Sequence, residues 1–305
     1  MRAAAFFAFG PPDVLRLVEL DDPEAGPGQV RVRVKAAGVQ PIDCWVRAGR
    51  MPPWATREFP QIPGNEFAGI VDQVGEGVDG FFVGSEVLGF TTLGCYAGLV
   101  VVSADQVVSR PAALSWEVAG GMSGAGQTAH LAMTELDVGA GDTVLIHAAA
   151  GGVGTVAVQL ARARGATVIG TASEANHAYL RSLGAIPVSY GDGLVERVQA
   201  LAPAGVDAAL DGAGGEALQA SLALVANRHR ILTLVEHEQA EPLGIRVIQG
   251  QRSAARLAAL VDLCVQGALR VQIRRAYPLR LAADAHREVE TRHGHGKIVL
   301  TVPEE

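Results

Sequence analysis

The sequence predicts an α/β protein with two unlike parts: an irregular β-barrel in the first third of the chain and a doubly wound parallel sheet after it. Three observations carry this. Residues 143–154, TVLIHAAAGGVG, read as a buried strand running into a glycine turn that opens a helix. Beyond it, short apolar runs alternate with helical stretches of roughly 10–15 residues, the rhythm of βαβ units. Before it, short alternating runs are separated by Pro, Gly and Asp clusters such as DDPEAGPG at 21–28.

The early part reads as strands. In QVRVRVKA, Val30, Val32 and Val34 face one way and Arg31, Arg33 and Lys35 the other. AGIVDQVG (68–75), GSEVLGF (84–90) and CYAGLVVVSADQVVSR (95–110) continue the pattern. At Pro111 the character changes. SWEVAGGMSGAGQTAHLAMTEL (115–136) is helical in composition, with Ser115 as N-cap. Strands then follow at 143–147, 167–170, 187–190, 206–211 and 230–235, and helices at 153–164, 174–183, 193–201, 215–225 and 253–267. The tail from Ala268 returns to β character. The division is a β-rich domain over 1–114, a Rossmann dinucleotide-binding domain over 115–249, and a segment over 250–305 that rejoins the first domain.

Composition bounds the function. The chain has 305 residues, 49% hydrophobic and 19% charged, as expected for a globular protein with large cores. A net charge of −7 without a basic run argues against nucleic acid or an anionic membrane as partner. No apolar run approaches a membrane span, and MRAAAFFAFGPP is too short for a signal peptide. Cys44, Cys95 and Cys264 are odd in number and widely spaced, so neither a disulfide framework nor a C-x-x-C metal pair is expected, and a reducing cytoplasm is the plain reading. Cys44 reads as a packed apolar residue or, alternatively, a ligand or nucleophile.

The glycine turn has a physical logic. Ala150, Gly151, Gly152 and Val153 leave backbone N–H groups free to approach a pyrophosphate, with a helix N-terminus behind them. The spacing Ala148-x-x-Gly151-x-x-Gly154 also fits a tight βα turn without a ligand. At carboxyl strand ends, Ala213 and the stretch Leu234, Val235 and Glu236 would line a nicotinamide.

Seven stretches together resemble the medium-chain dehydrogenase/reductase superfamily, in its zinc-free quinone oxidoreductase (zeta-crystallin-like) branch. They are GVQPIDCWVRAGR (38–50), PGNEFAGIV (63–71), GCYAGLVVV (94–102), AGQTAHLAM (125–133), HAAAGGVGTVAVQLAR (147–162), LDGAGGEAL (210–218) and GKIVLTV (296–302). The resemblance implies that the β-rich part is a GroES-like catalytic domain. Gln40 and Asn65 stand where zinc alcohol dehydrogenases carry Cys and His, and the four-Cys segment is missing, so no zinc is expected.

The resemblance also implies site residues. Thr128 matches a cofactor contact, and Gln40, Pro41 and Asp43 face the nicotinamide from the other domain. Asp43 has a second reading, an ion pair with Arg47 at i+4. The acidic position that favours NAD holds Ala172, followed by Ser173, and Tyr190 matches a third-strand Tyr; the family's Lys position holds Asn176, beside His177, with Arg181 a turn on. NADPH is the expected cofactor, with ordinary helix capping as the alternative role of Ser173 and Asn176. Met51 replaces a Tyr that relatives carry, Tyr96 reads as structural, His147 as packed, and His293 with His295 as surface.

Three functions remain open at this stage. They are an NADPH-dependent reductase of quinones or α,β-unsaturated carbonyls, an enoyl-thioester reductase, and a non-catalytic NADPH-binding protein. The partner is expected to be a small electrophilic carbonyl compound. The resemblance implies a homodimer with 229–235 as the edge strand. Loops 47–60 and 236–252 would shape the substrate pocket.

Overall fold

The computed structural model describes residues 1–50 and 58–303. Met51 and part of the 47–60 loop lie outside the described residues.

The first part contains β1 (Arg2–Ala5), β2 (Arg16–Glu19), β3 (Gln29–Val39), α1 (Pro41–Arg47), β4 (Glu66–Val74), β5 (Glu86–Phe90), β6 (Leu99–Ser103) and β7 (Val107–Ser109). The alternation in β3 is realised: Val30, Val32 and Val34 are buried, while Arg31 and Arg33 pair across to Asp72 on β4. The bridging region holds α2 (Trp116–Gly120), capped by the Ser115 hydroxyl accepting from the Val118 amide, and α3 (Ser123–Glu135). The helix expected over 115–136 is therefore two helices, broken at the poor helix former Gly121.

The parallel sheet follows: β8 (Thr143–Ile146), α4 (Gly152–Ala163), β9 (Thr167–Ala172), α5 (His177–Ser182), β10 (Ile186–Ser189), α6 (Leu194–Leu201), β11 (Ala208–Asp211), α7 (Glu216–Leu224) and β12 (Ile231–Thr233). Its order is β10-β9-β8-β11-β12, all parallel. The strand order reverses between β9 and β11 at β8, so the glycine turn after β8 lies at the switch point where ligands bind such sheets. The edge lies where expected, because β12 ends the sheet. Outside β12, Arg246 donates its amide to Ile231 O at 2.8 Å and accepts from Thr233 N at 2.9 Å. A single bridge thus lies beside the edge strand expected at 229–235.

The remaining elements are α8 (His237–Leu243), α9 (Ala254–Val265), β13 (Ile273–Pro278), α10 (Ala282–Glu290) and β14 (Lys297–Thr301). Leu257, Leu260 and Val261 of α9 join the same core as Val144, Ile146 and Met133. That core also holds Ala68, Leu88 and Phe90 of the first part, and strand pairing with the catalytic sheet resumes at Ile273. There β14 pairs antiparallel with β3 and parallel with β13. The seven-strand sheet runs β13-β14-β3-β4-β5-β7, with β6 also on β3. No helix among the described residues is long and apolar enough to cross a membrane.

Candidate active site at the junction of the two sheets

The glycine turn is built for close approach. Ala148 takes φ +53°, a left-handed conformation that costs a non-glycine residue about 1–2 kcal/mol. Gly151 caps α4, and the turn closes with Gly151 N donating to Ala148 O at 2.9 Å. A Cβ on Gly154 would lie 2.3 Å from Ala148 O and 2.6 Å from Ala149 Cα, so only glycine lets α4 pack this tightly on the strand end. The residues present fit a dinucleotide: no side chain larger than a methyl stands on the turn from Ala148 to Gly152, and the turn ends at a helix N-terminus, whose first amides have no intrahelical partner.

The adjoining strand ends are tied by two residues that sequence reading missed. Asp211 is buried and accepts from Ala213 N at 3.0 Å, Gly214 N at 2.8 Å and Thr233 Oγ1 at 2.8 Å. Thr233 Oγ1 in turn accepts from Val235 N and Glu236 N. One carboxylate and one hydroxyl so shape both the Ala213 turn and the Leu234–Glu236 stretch. The only sequence signal was Asp211 directly before a Gly, a common turn pattern.

At the ends of β9 and β10, register sets Ala172 opposite Ser189 and so brings Ser173 beside Tyr190. The Tyr190 side is open, with the residue 57% exposed. Asn176 Nδ2 donates to Ser173 Oγ at 3.3 Å, which leaves the Ser173 hydroxyl hydrogen free to donate outward. His177 Nε2 lies 3.5 Å from Ser189 Oγ. Neither Ser173 nor Asn176 caps its helix through its side chain.

The catalytic half meets this frame through Gln40, Asn65 and Glu66. Gln40 follows β3 as the N-cap of α1, and Asn65 stands directly before Glu66, which opens β4. A Cβ built on Gly124, in the first turn of α3, would lie 2.2 Å from Gln40 Nε2 and 3.3 Å from Asn65 Oδ1. Three chain segments thus converge on one point and present two amides and no side chain. Glu66 is the hub behind them. It is fully buried and accepts from Gln40 Nε2 at 2.6 Å, Gly124 N at 2.6 Å and Lys297 Nζ at 2.8 Å. Lys297 also donates to Val39 O at 3.2 Å, and a Cβ on Gly152 would meet its Cδ at 2.7 Å. Its stem therefore lies along the first turn of α4. Nearby, Gly296 N donates to Ala150 O at 2.9 Å, and His295 stacks on Tyr179 at 4.3 Å between ring centroids. This makes His295 part of the junction, not a free surface residue.

Asp43 is corrected on two counts. It does not pair with Arg47, whose Nη2 bonds Glu290 Oε1 at 2.5 Å. Nor does it reach the cleft, because it is fully buried, accepting from Gln40 N at 2.8 Å, Gly64 N at 3.2 Å and Tyr96 Oη at 3.0 Å. Asp43 is a positioning residue that fixes Gln40 and the loop before β4. The reason is register: Asp43 sits at N3 of α1, where a carboxylate turns back on the N-cap amide and not forward along the helix. Burial raises its pKa to about 6. Cys44 is buried too, and burial pushes its thiol well up, which fits the packed reading. Pro41 is exposed at the start of α1, and Thr128 is half-buried in α3.

His147 sits under the turn, its Nδ1 3.3 Å from Thr171 Oγ1 and its Nε2 3.0 Å from Ser221 Oγ. Burial lowers its pKa from 6.5 to about 4, and lowers that of His286, beside Tyr96, to about 3. The unfolded chain takes up protons at both below about pH 6.5 while the folded chain does not, so stability is lost as pH falls below 6.5. Asp43 works in the opposite sense, gaining its proton in the folded state below about 6, but over a narrower range. A net loss on the order of 2 kcal/mol is expected by pH 5. Thermal melts from pH 7 to 5 should show the midpoint falling, and H147Q should flatten that slope; a flat wild-type profile would refute it.

The parallel sheet with its glycine turn, joined to a β-rich domain that donates Gln40 and Glu66, defines a nicotinamide-dinucleotide-binding dehydrogenase fold. Residues 26–112 match the family model of the alcohol dehydrogenase GroES-like domain, and residues 183–300 that of zinc-binding dehydrogenase. The 2-haloacrylate reductase of Burkholderia sp. is 34% identical, with 98% of each chain covered. The structure of the quinone oxidoreductase from Coxiella burnetii superposes with a TM-score of 0.88 at 34% identity over 99% of each chain. The Escherichia coli quinone oxidoreductase complexed with NADPH gives 0.88 at 27% identity, covering 99% of this chain and 100% of that one. The polyketide synthase GfsB of Streptomyces halstedii is 35% identical over 90% of this chain, but the chain spans only 5% of its length. The chain belongs to the medium-chain dehydrogenase/reductase superfamily, in its quinone oxidoreductase branch.

Proposed function

We propose that the chain is an NADPH-dependent, zinc-independent reductase that transfers hydride to a quinone or an α,β-unsaturated carbonyl compound. The observation that carries this is the convergence of Gln40, Asn65 and Gly124. Two neutral amides and a glycine offer a cation no thiolate, imidazole or carboxylate, and the nearest carboxylate, Glu66, is already taken by Lys297. Among the described residues, no three His, Cys, Asp or Glu side chains cluster as a metal site would. An acceptor already activated for addition suits such a site, because its carbonyl needs no Lewis acid. The relatives named quinone oxidoreductase and 2-haloacrylate reductase support that acceptor class.

A bound reduced nicotinamide would supply the hydride. The chain's own part is to bind and orient it: the α4 amides for the pyrophosphate, Ser173 and Tyr190 for a 2′-phosphate, and the turns tied by Asp211 and Thr233 for the nicotinamide end. The neighbour complexed with NADPH supports the choice of cofactor. S173D puts a carboxylate where the phosphate would sit. It should shift the NADPH-to-NADH ratio of kcat/KM toward NADH by at least about tenfold, a charge-repulsion effect; an unchanged ratio would overturn the assignment.

The test of function is NADPH oxidation with a chelator present, offering a benzoquinone and a simple enone separately against enzyme-free blanks. Turnover with either is the expected result. No turnover with both, alongside NADPH binding, would favour the second reading, an enoyl-thioester reductase, which the polyketide synthase relatives support. The homodimer is likewise proposed, through the sheet edge at β12; light scattering of the purified protein checks it.

A further inference from the structure

Arg252 follows the extended stretch that begins at Arg246 and reaches from the dinucleotide-binding half into the catalytic one. Its Nη1 donates to Asn65 O at 2.8 Å and its Nη2 to Thr91 O at 2.6 Å, with the guanidinium 5.2 Å from the centre of the Phe90 ring. The next residue is pinned as well: Ser253 N donates to Gln127 Oε1 at 2.8 Å, one position before Thr128. The guanidinium is thus held against the backbone of Asn65, one of the three converging residues.

Every group that Arg252 touches is neutral. It forms no ion pair with a carboxylate among the described residues. The carboxylates whose fields reach it, Glu66 and Asp43, are committed elsewhere, Glu66 to Lys297 and Asp43 to Tyr96 and two backbone amides. Burial holds its pKa below that of an ordinary arginine. A guanidinium withdrawn from water without a counter-ion costs several kcal/mol. Two of its five N–H donors are engaged, which leaves capacity for a planar anion.

We propose that Arg252 binds the carboxylate of the substrate, so that the preferred acceptor is a small conjugated enoic acid. This rests on the hydride-transfer reading above and narrows it. An enoate is a poor hydride acceptor in water because its charge opposes the incoming electron pair. Hydride adds at the β carbon with its two electrons, and the C=C π pair shifts onto the carboxyl group. The resulting enediolate carries two negative charges on the oxygens that the guanidinium holds. The α carbon then takes a proton from water, leaving the saturated acid and the oxidised nicotinamide. The second charge exists only in the transition state and beyond, so the guanidinium helps there more than in the ground state.

The test compares acrylate with methyl acrylate, and benzoquinone as a neutral control, in wild type, R252K and R252Q. Calorimetric titration of propionate and of propionamide into the NADP⁺-loaded protein gives a readout that needs no turnover. R252Q should lose about 100-fold in kcat/KM on acrylate and less than about 3-fold on the ester and quinone, with R252K between them. Wild type should bind propionate and not propionamide. Equal losses on acid and ester, or equal binding of propionate and propionamide, would show that Arg252 only clamps Asn65 and Thr91 and would end the proposal. If no acceptor turns over, the reductase reading fails, and the propionate titration still decides whether Arg252 is an anion site. If a variant does not fold, the wild-type comparison of propionate with propionamide decides alone.

Discussion

Replacing Lys297 with methionine lowers the midpoint of thermal unfolding by several degrees and costs about 3–5 kcal/mol, the loss expected when one partner of a buried ion pair is removed. Glu66 is fully buried and keeps only the Gln40 amide and the Gly124 N–H as partners once the ammonium is gone. Its charge would then be stabilised by hydrogen bonds, the N-terminal end of α3 and the more distant Arg252. The Lys297 stem also fills the space over Gly152, and methionine keeps most of that packing. The cost is therefore electrostatic, and the double variant E66L/K297M should recover a large part of the stability. Turnover should not recover with it, because the Gln40 amide has then lost its anchor. Calorimetric melts of the three proteins check this; a K297M midpoint within a degree of wild type would refute it.

Gly154→Ala should weaken NADPH binding by at least about tenfold, equivalent to some 1.4 kcal/mol. The added methyl would sit 2.3 Å from a carbonyl oxygen and 2.6 Å from a Cα, and backbone cannot swing aside as a flexible side chain can. Either α4 lifts from β8 or the turn opens, and both move the amides that face the pyrophosphate. Gly151→Ala is the control, since its Cβ meets only Ala148 O, at 3.2 Å. A fluorescence titration of NADPH should rank wild type, G151A and G154A in that order. Equal affinity of wild type and G154A would mean that the turn does not carry the cofactor.

The elements were legible wherever a pattern repeats locally. The β3 alternation, the glycine turn and the βαβ rhythm all depend on residues a few positions apart, and all three appear where expected. The Ser115 cap was legible for the same reason. The site was less so, because its partners are far apart in the chain. Glu66 and Lys297 are separated by 231 positions, and each alone looks like a stray charge at the end of an apolar strand. Asp43 and Arg47, a helical turn apart, looked like a pair, but Tyr96 and the Gly64 amide claim the carboxylate and Glu290 the guanidinium. Arg252 offered no local pattern, since its partners are backbone carbonyls whose position depends on the whole fold.

The placement of β14 bears on how the chain is made. This strand lies inside the catalytic sheet, between β13 and β3, although it comes some 260 positions after β3. While the ribosome is still short of residue 297, Ala36–Val39 of β3 present an unpaired edge on that side, a template for pairing with another nascent chain. The parallel sheet and α9 lie in one continuous stretch from about 115 to 269, and contiguous units generally fold first. In the half that carries Gln40 and Glu66, that edge of β3 is covered only by β14, which brings Lys297 with it. One strand therefore both closes that edge and supplies the ion-pair partner of Glu66.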